Sequence, residues 1–243
     1  MATLLFDYGG TLASHARHWS FVLRDAYLAL VPAAMREAFD AVWRDAYVHG
    51  ERTLAREPIV EATDTFGALL LRKTRVQLAY IDQHAPALYA ALPADTAESV
   101  AAQCDDAARA CTREALPMLE ALRAAGHTLV LVTNFYGNIH AVLADYGLLH
   151  LWSAVVESAV VGVRKPDPAI WRLGLEAVSG NPATAWAIGD SYSKDIAPAA
   201  ALGLHTLWYK GQEWEQKAYD ESLPTRIATD TPTLFAILRS AAR

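Results

Sequence analysis

Short apolar runs recur along the chain, each of a length that suits one buried β-strand. They hold few polar residues, which is typical of strands that are covered on both faces of a parallel sheet. Between and after the later runs, apolar residues repeat every three to four positions, the spacing of an α-helix. The predicted strands are Thr3–Phe6, Thr128–Val132, Ala154–Val156, Ala185–Ile188, Leu204–Trp208 and Arg226–Ala228, and the predicted helices are Ala115–Ala125, Ile139–Tyr146, Ala169–Val178, Asp195–Leu202 and Thr233–Ala241.

The interval between the first and second predicted strands has a different pattern. From about Ser14 to Ala110 the helical spacing continues without strand signals and is interrupted by prolines. Alternating strands and helices predict an α/β domain around a parallel sheet, and the interval predicts an all-helical insertion. We therefore expect residues 1–13 and 110–243 to form the α/β core and residues 14–109 to form a helical cap domain.

Composition narrows the class of protein. The chain has 243 residues, of which 53% are hydrophobic, so it can bury a substantial core. A net charge of −6 argues against nucleic acid or an anionic membrane as a partner. We find no signal peptide or apolar run of membrane-spanning length, and the spacing of Cys104 and Cys111 favours one helix face over a disulfide. These features predict a cytoplasmic protein.

Polar residues with a shared chemistry follow the predicted strands. Carboxyl ends of parallel strands meet at one edge of the sheet, so residues there lie close together despite wide separation in sequence. Carboxylates, a lysine and a hydroxyl are the groups that phosphoryl transfer uses to attack phosphorus and to neutralise charge. The candidates, in chain order, are Asp7, Thr133, Asn134, Lys165, Asp190 and Asp195.

The four segments FDYGGTL, LVTN, VRKPDP and GDSYSKD, in this order, resemble the motifs of the haloacid dehalogenase-like superfamily. The resemblance covers nearly the whole chain and is specifically to phosphatases that carry a helical cap after the first motif. It implies a Rossmann-like core, with Asp7 as the nucleophile that forms an aspartyl-phosphate. It also implies that Thr133 binds the transferring phosphoryl group and that Lys165 neutralises charge.

The resemblance implies a Mg²⁺ cofactor. Magnesium prefers oxygen ligands and offsets the repulsion between a carboxylate and a phosphate. The carboxylates of Asp7 and Asp190 and the backbone carbonyl of Gly9 are the implied ligands, with Asp195 as a further ligand or a neighbour of one. Backbone amides of the glycine-rich loop at Gly10, and that of Asn134, are expected to hold phosphate oxygens.

Glycine at position 9 departs from the family pattern. The phosphatases usually carry a second aspartate there, which protonates the leaving oxygen and later activates water. A positioned acid or base contributes about 10²–10⁴-fold in rate. The neighbouring segment SHARHWSF carries His15, Arg17 and His18, for which exposed linker groups are the favoured interpretation. The alternative is that a histidine replaces the missing base and that Arg17 and His18 bind the substrate. Without a replacement base, we expect a phosphoenzyme that turns over slowly.

The predicted function is a Mg²⁺-dependent phosphatase for a small phosphorylated metabolite, acting as a monomer or homodimer. Gly9 favours an alternative, a catalytically impaired protein that binds phosphate ligands. A third reading is cleavage of a carbon–halogen or carbon–phosphorus bond, since relatives with those activities also lack the second aspartate. The phosphonate reaction uses a cap lysine, and for Lys73 a solvated helix face is the favoured interpretation.

Overall fold

The computed structural model of the chain describes residues 1–215 and 217–241. The chain divides into two compact units. An α/β unit contains Met1–His18, Ala108–Gly137 and Leu143–Arg243, and a helical unit contains Trp19–Ala107 and Asn138–Val142. The prediction placed residues 138–142 in the α/β core, whereas they group with the helical unit; the assignment of residues 14–109 to a cap domain stays a prediction.

The α/β unit is built on a six-stranded parallel sheet in the order β3-β2-β1-β4-β5-β6. This order and direction confirm the predicted fold class, an α/β core with a Rossmann-like sheet. The strands are β1 (Thr3–Phe6), β2 (Thr128–Thr133), β3 (Ala154–Glu157), β4 (Trp186–Gly189), β5 (His205–Tyr209) and β6 (Arg226–Ala228).

Burial explains why the strand signals were continuous apolar runs. In β1, Leu4, Leu5 and Phe6 are all buried, because the two neighbouring strands and the helices on both faces exclude water. Helix Ala169–Glu176 packs so closely on this sheet that a Cβ on Gly174 would lie 2.8 Å from a methyl of Leu5. The centre of the sheet is therefore fixed by close packing.

Eleven helices lie within the described residues. Three short 3₁₀ segments, Ala33–Met35, Leu149–Leu151 and Pro182–Thr184, and a π-helical turn, Tyr192–Ile196, accompany them. The helices are α1 (Gly9–Ala13), α2 (Trp19–Leu28), α3 (Arg36–Arg56), α4 (Phe66–His84), α5 (Pro86–Ala91), α6 (Thr96–Ala124), α7 (Ile139–Asp145), α8 (Ser158–Val161), α9 (Ala169–Glu176), α10 (Ala197–Ala201) and α11 (Thr231–Ala241).

Two helix predictions were wrong in extent. The predicted helix Ala115–Ala125 is the last part of α6, which continues through Pro117. The proline removes one backbone hydrogen bond, but buried Leu119 and Leu122 hold the following turns. The predicted helix Asp195–Leu202 is divided into the π-helical turn and α10.

Two expectations about the chain concern its cysteines and membranes. Cys104 is buried, Cys111 is half-buried, and both are free thiols, as the spacing predicted. Burial raises the pKa of Cys104 to about 12, so this thiol is unreactive. None of the described helices combines the length and the apolarity needed to cross a lipid bilayer.

Candidate active site

The sheet order brings the first and fourth predicted motifs together. β1 and β4 are neighbours, with Phe6 in register with Ile188. The strand order reverses at this pair, which is where open α/β sheets leave a crevice beyond their carboxyl ends. Asp7 follows β1, and its backbone amide donates to the Ile188 carbonyl at 2.8 Å. Asp190 follows β4, so the two carboxylates emerge side by side.

Three buried carboxylates form the centre of the site. Asp7, Asp190 and Asp195 each offer an oxygen, and these atoms lie within 4.8 Å of one another. Asp195 belongs to the π-helical turn that follows Asp190, and its carboxylate accepts a hydrogen bond from the Ser191 amide at 3.0 Å. This bond folds the turn back on itself and aims Asp195 toward Asp7.

Lys165 connects two of these carboxylates. Its Nζ donates to Oδ1 of Asp7 at 2.5 Å and to Oδ1 of Asp195 at 2.7 Å. The side chain of Asn134 holds the lysine backbone from both sides, accepting from its amide at 2.9 Å and donating to its carbonyl at 3.0 Å. The ring of Trp171 lies 4.7 Å from Nζ, a cation–π distance. The ammonium is therefore fixed in place beside Asp7.

Close backbone approach allows the carboxylates to crowd together. A Cβ on Gly10 would lie 2.0 Å from Oδ2 of Asp190, and a Cβ on Gly189 would lie 2.3 Å from Cβ of Asp195. Only glycine leaves room for a carboxylate at these two positions. The hydroxyl of Thr11 lies 3.3 Å from Asp7 and 3.2 Å from Asp190, within reach to donate to either carboxylate.

Crowding determines the electrostatics of the site. Burial, followed by repulsion from Asp7 and then Asp195, raises the pKa of Asp190 well above its usual value. Burial also raises the pKa of Asp195 to about 6, against the attraction of Lys165. Burial lowers the pKa of Lys165, but Asp195 and Asp7 more than offset this and the net shift is upward.

The donor set fits a divalent cation. With all three carboxylates ionised, the group and the one ammonium carry two negative charges in a buried space, and a divalent cation would neutralise them. Carboxylate oxygens at this spacing are the ligands that Mg²⁺ prefers. Asp7, Asp190 and Asp195, three of the four predicted metal ligands, are thus brought together.

The other predicted groups lie at the start of α1 and at the end of β2, which pairs with β1. Gly9 and Gly10 are the first two residues of α1, directly after Asp7 and Tyr8. Thr133 ends β2 and is buried, in register with Glu157. The metal role predicted for the Gly9 carbonyl, and the phosphate roles predicted for Gly10, Thr133 and Asn134, stay predictions.

The segment after the first motif makes contacts of its own. His15 forms an ion pair with Glu114 at 3.0 Å when protonated, and its side chain is 43% exposed. Arg17 donates from Nε to the side chain of Gln212 at 3.0 Å, and the ring of His18 lies 5.4 Å from that of Trp214. The substrate roles predicted for Arg17 and His18 stay predictions.

The interpretation of Lys73 was wrong. Lys73 is buried inside the helical unit, only 7% exposed, and its Nζ donates to Glu51 at 2.7 Å. The helical spacing of LLRKTRV gave no sign of this, because α3 and α4 bring together residues distant in sequence. Lys73 therefore lies in a packed interior and not on a solvated helix face.

Sequence reasoning missed two contributors to the site. Thr11 was passed over although it lies four residues after Asp7, close to the start of α1, which was an available signal. Trp171 is fully buried on α9, and its ring also faces the Lys165 ammonium. Nothing in the segment PAIW signalled that second contact, which depends on how α9 packs.

The Rossmann-like sheet, with a carboxylate cluster and a lysine at its switch point, defines a class of hydrolases. Residues 1–203 match the family described as haloacid dehalogenase-like hydrolase. The chain belongs to this family.

Particular relatives are known for part of the chain. Over 106 residues it is 35% identical to haloacid dehalogenase-like hydrolase domain-containing protein 3 of Mus musculus, covering 44% of this chain and 42% of that protein. Over 96 residues it is 35% identical to a phosphoserine phosphatase of Thermus thermophilus, covering 39% of each. The matched region spans less than half the length of these relatives.

A solved structure matches along the full length. A dehalogenase with an intermediate complex superposes with a TM-score of 0.62, at 18% identity, covering 100% of this chain and 98% of that one. At this identity the likeness concerns the fold alone.

Proposed function

We propose that this hydrolase is a Mg²⁺-dependent phosphatase that cleaves small phosphorylated metabolites through an aspartyl-phosphate on Asp7. The observation that carries the proposal is the buried group of Asp7, Asp190 and Asp195 with Lys165 hydrogen-bonded to Asp7. Similarity to a phosphoserine phosphatase supports the reaction class. The substrate's identity is left open within phosphorylated small molecules.

Each residue of the group has a part in the reaction. An Asp7 oxygen attacks phosphorus, the bond from phosphorus to the ester oxygen breaks, and the leaving oxygen takes a proton from solvent. Water then attacks the phosphorus of the aspartyl-phosphate and gives a proton to solvent, and the bond from phosphorus to the Asp7 oxygen breaks, which releases phosphate and restores Asp7. Lys165 holds the Asp7 carboxylate in one orientation and offsets the charge of the incoming phosphate. Asp7, Asp190 and Asp195 would hold Mg²⁺, which would supply further charge neutralisation when bound.

A cation site favours the phosphatase over a dehalogenase. A carbon–halogen bond carries no dianion, so its cleavage needs no metal to offset charge. Three carboxylates crowded at one point are costly to bury unless a cation accompanies them. Carbon–phosphorus cleavage through a cap lysine is disfavoured by Lys73, whose ammonium is paired with Glu51 in a buried position.

Gly9 supports a second candidate, a phosphate-binding protein with very slow turnover. Glycine supplies no acid to the leaving group and no base to the water. In this case Asp7 would be phosphorylated, or phosphate would bind, without rapid release. The two candidates differ in rate and not in which residues form the site.

Hydrolysis of an aryl phosphate with Mg²⁺ tests the first candidate. An aryl oxide is a good leaving group, so its departure depends little on an acid catalyst. We expect Mg²⁺-dependent release that falls at least about 10³-fold in Asp7→Asn, because the amide is not a nucleophile. Asp106→Asn, an exposed aspartate on α6, is the matched control and should retain wild-type activity.

Acid-quenched trapping of phosphoprotein distinguishes the candidates. A phosphatase shows steady release with little trapped phosphate, whereas slow turnover shows a stoichiometric burst on Asp7. Activity that persists in Asp7→Asn would overturn the assigned nucleophile for both.

A further inference from the structure

The segment that follows β5 contacts the π-helical turn Tyr192–Ile196, here called the acidic turn, through the carboxylate of Glu213. Oε1 of Glu213 accepts a hydrogen bond from the backbone amide of Tyr192 at 3.0 Å. Oε2 of the same side chain accepts from the hydroxyl of Tyr219 at 2.9 Å. Both oxygens of Glu213 are thus engaged, and each holds a different part of the chain.

The amide that Glu213 accepts from lies at the start of the turn that carries Asp195. Tyr192 is the first residue of the π-helical turn Tyr192–Ile196 and comes two residues after Asp190. Leading amides of a helical turn have no acceptor within the turn, so an outside acceptor fixes the turn's start. Two residues earlier, the Asp190 carbonyl accepts from Nε1 of Trp208 at 2.9 Å.

Aromatic stacking reinforces this attachment. The rings of Tyr192 and Tyr219 are stacked with centroids 4.4 Å apart, and Trp208 meets both edge-on at 5.3 and 5.9 Å. Burial, followed by the hydrogen bond to Glu213, raises the pKa of Tyr219 to about 12, so its hydroxyl stays a donor at neutral pH. The stack restricts how far Tyr192 can move.

Glu213 itself lies on an anchored segment. Next to it, Gln212 pairs with the segment after the first motif, donating to the Ala16 carbonyl and accepting from the His18 amide, each at 2.8 Å. The chains approach so closely that a Cβ on Gly211 would lie 2.2 Å from the Ala16 carbonyl oxygen. Residues 211–213 therefore connect the segment after the first motif with the acidic turn.

We propose that Glu213 is a positioning residue that holds Asp190 and Asp195 in place for a divalent cation. The two carboxylates repel each other and Asp7, so without the cation their oxygens stay within 4.8 Å of one another through the bonds of Lys165 and Thr11 and through restraints on the turn. Glu213, with Trp208, supplies such restraints from outside the carboxylate group. Groups in this supporting position typically change metal affinity about 10–100-fold when removed. The inference rests on the cation site of the proposed function.

Mn²⁺ binding to the metal-free protein, followed by the electron paramagnetic resonance signal of free Mn²⁺, tests the inference without any substrate. We expect Glu213→Ala to weaken Mn²⁺ binding about 10-fold. Glu213→Gln keeps an oxygen that can accept from the Tyr192 amide and should stay within about threefold of wild type. Glu221→Gln is the matched control, because Glu221 also follows β5 in the chain but forms an exposed pair with Lys210.

A second variant covers the case in which Glu213→Ala fails to fold, which far-UV circular dichroism would reveal. Trp208→Phe keeps an aromatic ring but removes the N–H that Asp190 accepts from, and it should also weaken Mn²⁺ binding. Wild-type affinity in both variants would overturn the positioning role. Equal weakening in Glu213→Gln and Glu213→Ala would overturn it too, since charge alone would then be responsible.

Titration of the wild-type protein with Mn²⁺ distinguishes failure of the positioning role from failure of the proposed function. If wild-type protein binds no Mn²⁺, the cation site of the proposed function fails and the positioning role fails with it. If wild-type protein binds Mn²⁺ but hydrolyses no phosphate ester, only the proposed function fails. At saturating substrate, the Mg²⁺ concentration for half-maximal activity should rise in Glu213→Ala while the KM for substrate at saturating Mg²⁺ is unchanged.

Discussion

Each of the two units buries a lysine, and the two lysines have different surroundings. Lys165 in the α/β unit is 4% exposed and Lys73 in the helical unit is 7% exposed. For each lysine, burial lowers the pKa, but attraction to acidic neighbours raises it by a larger amount. The net shift of the pKa is upward, so both lysines stay charged. Lys73 pairs with the half-buried Glu51, which balances its charge.

Lys165, by contrast, contacts two carboxylates of a group of three. That group keeps an excess of negative charge in a buried space, which a second cation can relieve. The Lys73–Glu51 pair is balanced, so it leaves no net charge for a further cation to neutralise. The lesson is that burial of a charged residue does not mark a site; an unbalanced buried charge does.

The largest contrast comes from removing each ammonium. Lys165→Met should lower Mg²⁺-dependent hydrolysis of an aryl phosphate about 10²–10³-fold, the typical effect of losing one group that stabilises developing charge. Lys73→Met should leave the turnover number within about twofold of wild type, because its ammonium pairs with Glu51 and not with the carboxylate group. Steady-state kinetics of both purified variants checks this, and equal losses would break the comparison.

Gly9→Asp restores the aspartate that the family's phosphatases usually carry, two residues after Asp7, which contacts Lys165 and not Lys73. Gly9→Asp should raise the hydrolysis rate of alkyl phosphates about 10²-fold, the low end for a positioned acid and base. Because position 9 begins α1, a carboxylate there would also suit the helix N-terminus. The gain should be smaller for aryl phosphates, whose leaving group needs less protonation. No gain with any phosphomonoester would contradict the assignment of Gly9 as the missing acid.

Removing a carboxylate should act in opposite directions in the two regions. In protein freed of metal with EDTA, Asp190→Asn relieves repulsion and should raise the free energy of unfolding by about 1–2 kcal/mol. Glu51→Gln leaves the Lys73 charge without its counterion and should lower the free energy of unfolding by about 1–2 kcal/mol. This loss is smaller than for a fully buried pair, because Glu51 is partly exposed.

Urea unfolding at neutral pH measures both values. Added Mg²⁺ should then stabilise the wild type and have little effect on Asp190→Asn. A destabilised Asp190→Asn without metal would show that the carboxylates do not crowd one another.

The smallest expected effect concerns His127, a buried residue outside the carboxylate group and outside the Lys73–Glu51 pair. Burial lowers the pKa of His127 below 6.5, and its Nδ1 accepts from the Ala2 amide at 3.1 Å, which requires a neutral ring. Its contribution to stability is therefore complete above pH 6.5 and is lost as the pH falls through the lowered pKa.

The loss should not exceed about 1 kcal/mol. It is measured as the difference in pH dependence of unfolding between wild type and His127→Gln from about pH 7 to about pH 5. An unchanged pH dependence in His127→Gln would count against the buried neutral ring.

Much of the α/β unit was predictable because its signals are local. The bounds of β1 and β6 were predicted without error. β1 lies inside the sheet, where Leu4, Leu5 and Phe6 are buried and therefore apolar. Helix extents were predicted less well. Proline is a local breaker, yet α6 passes through Pro117 because packing outweighs one lost hydrogen bond.

The sequence by itself determined the chemical groups and their order: an aspartate after the first strand, a hydroxyl after the second, a lysine before a proline, and two aspartates in the last motif. It also determined the absence of a side chain at position 9. Strand ends converge by rule, so it determined the crevice in which these groups would meet.

Only the tertiary structure decided which groups touch. The bond from Lys165 to Asp7 joins residues 158 positions apart, and the pairing of Lys73 with Glu51 depends on how α3 lies on α4. The support of the acidic turn by Glu213 needs β5 beside β4. Charge balance is a property of neighbours in space, so it cannot be counted along a chain; here it separates a candidate catalytic lysine from a structural one.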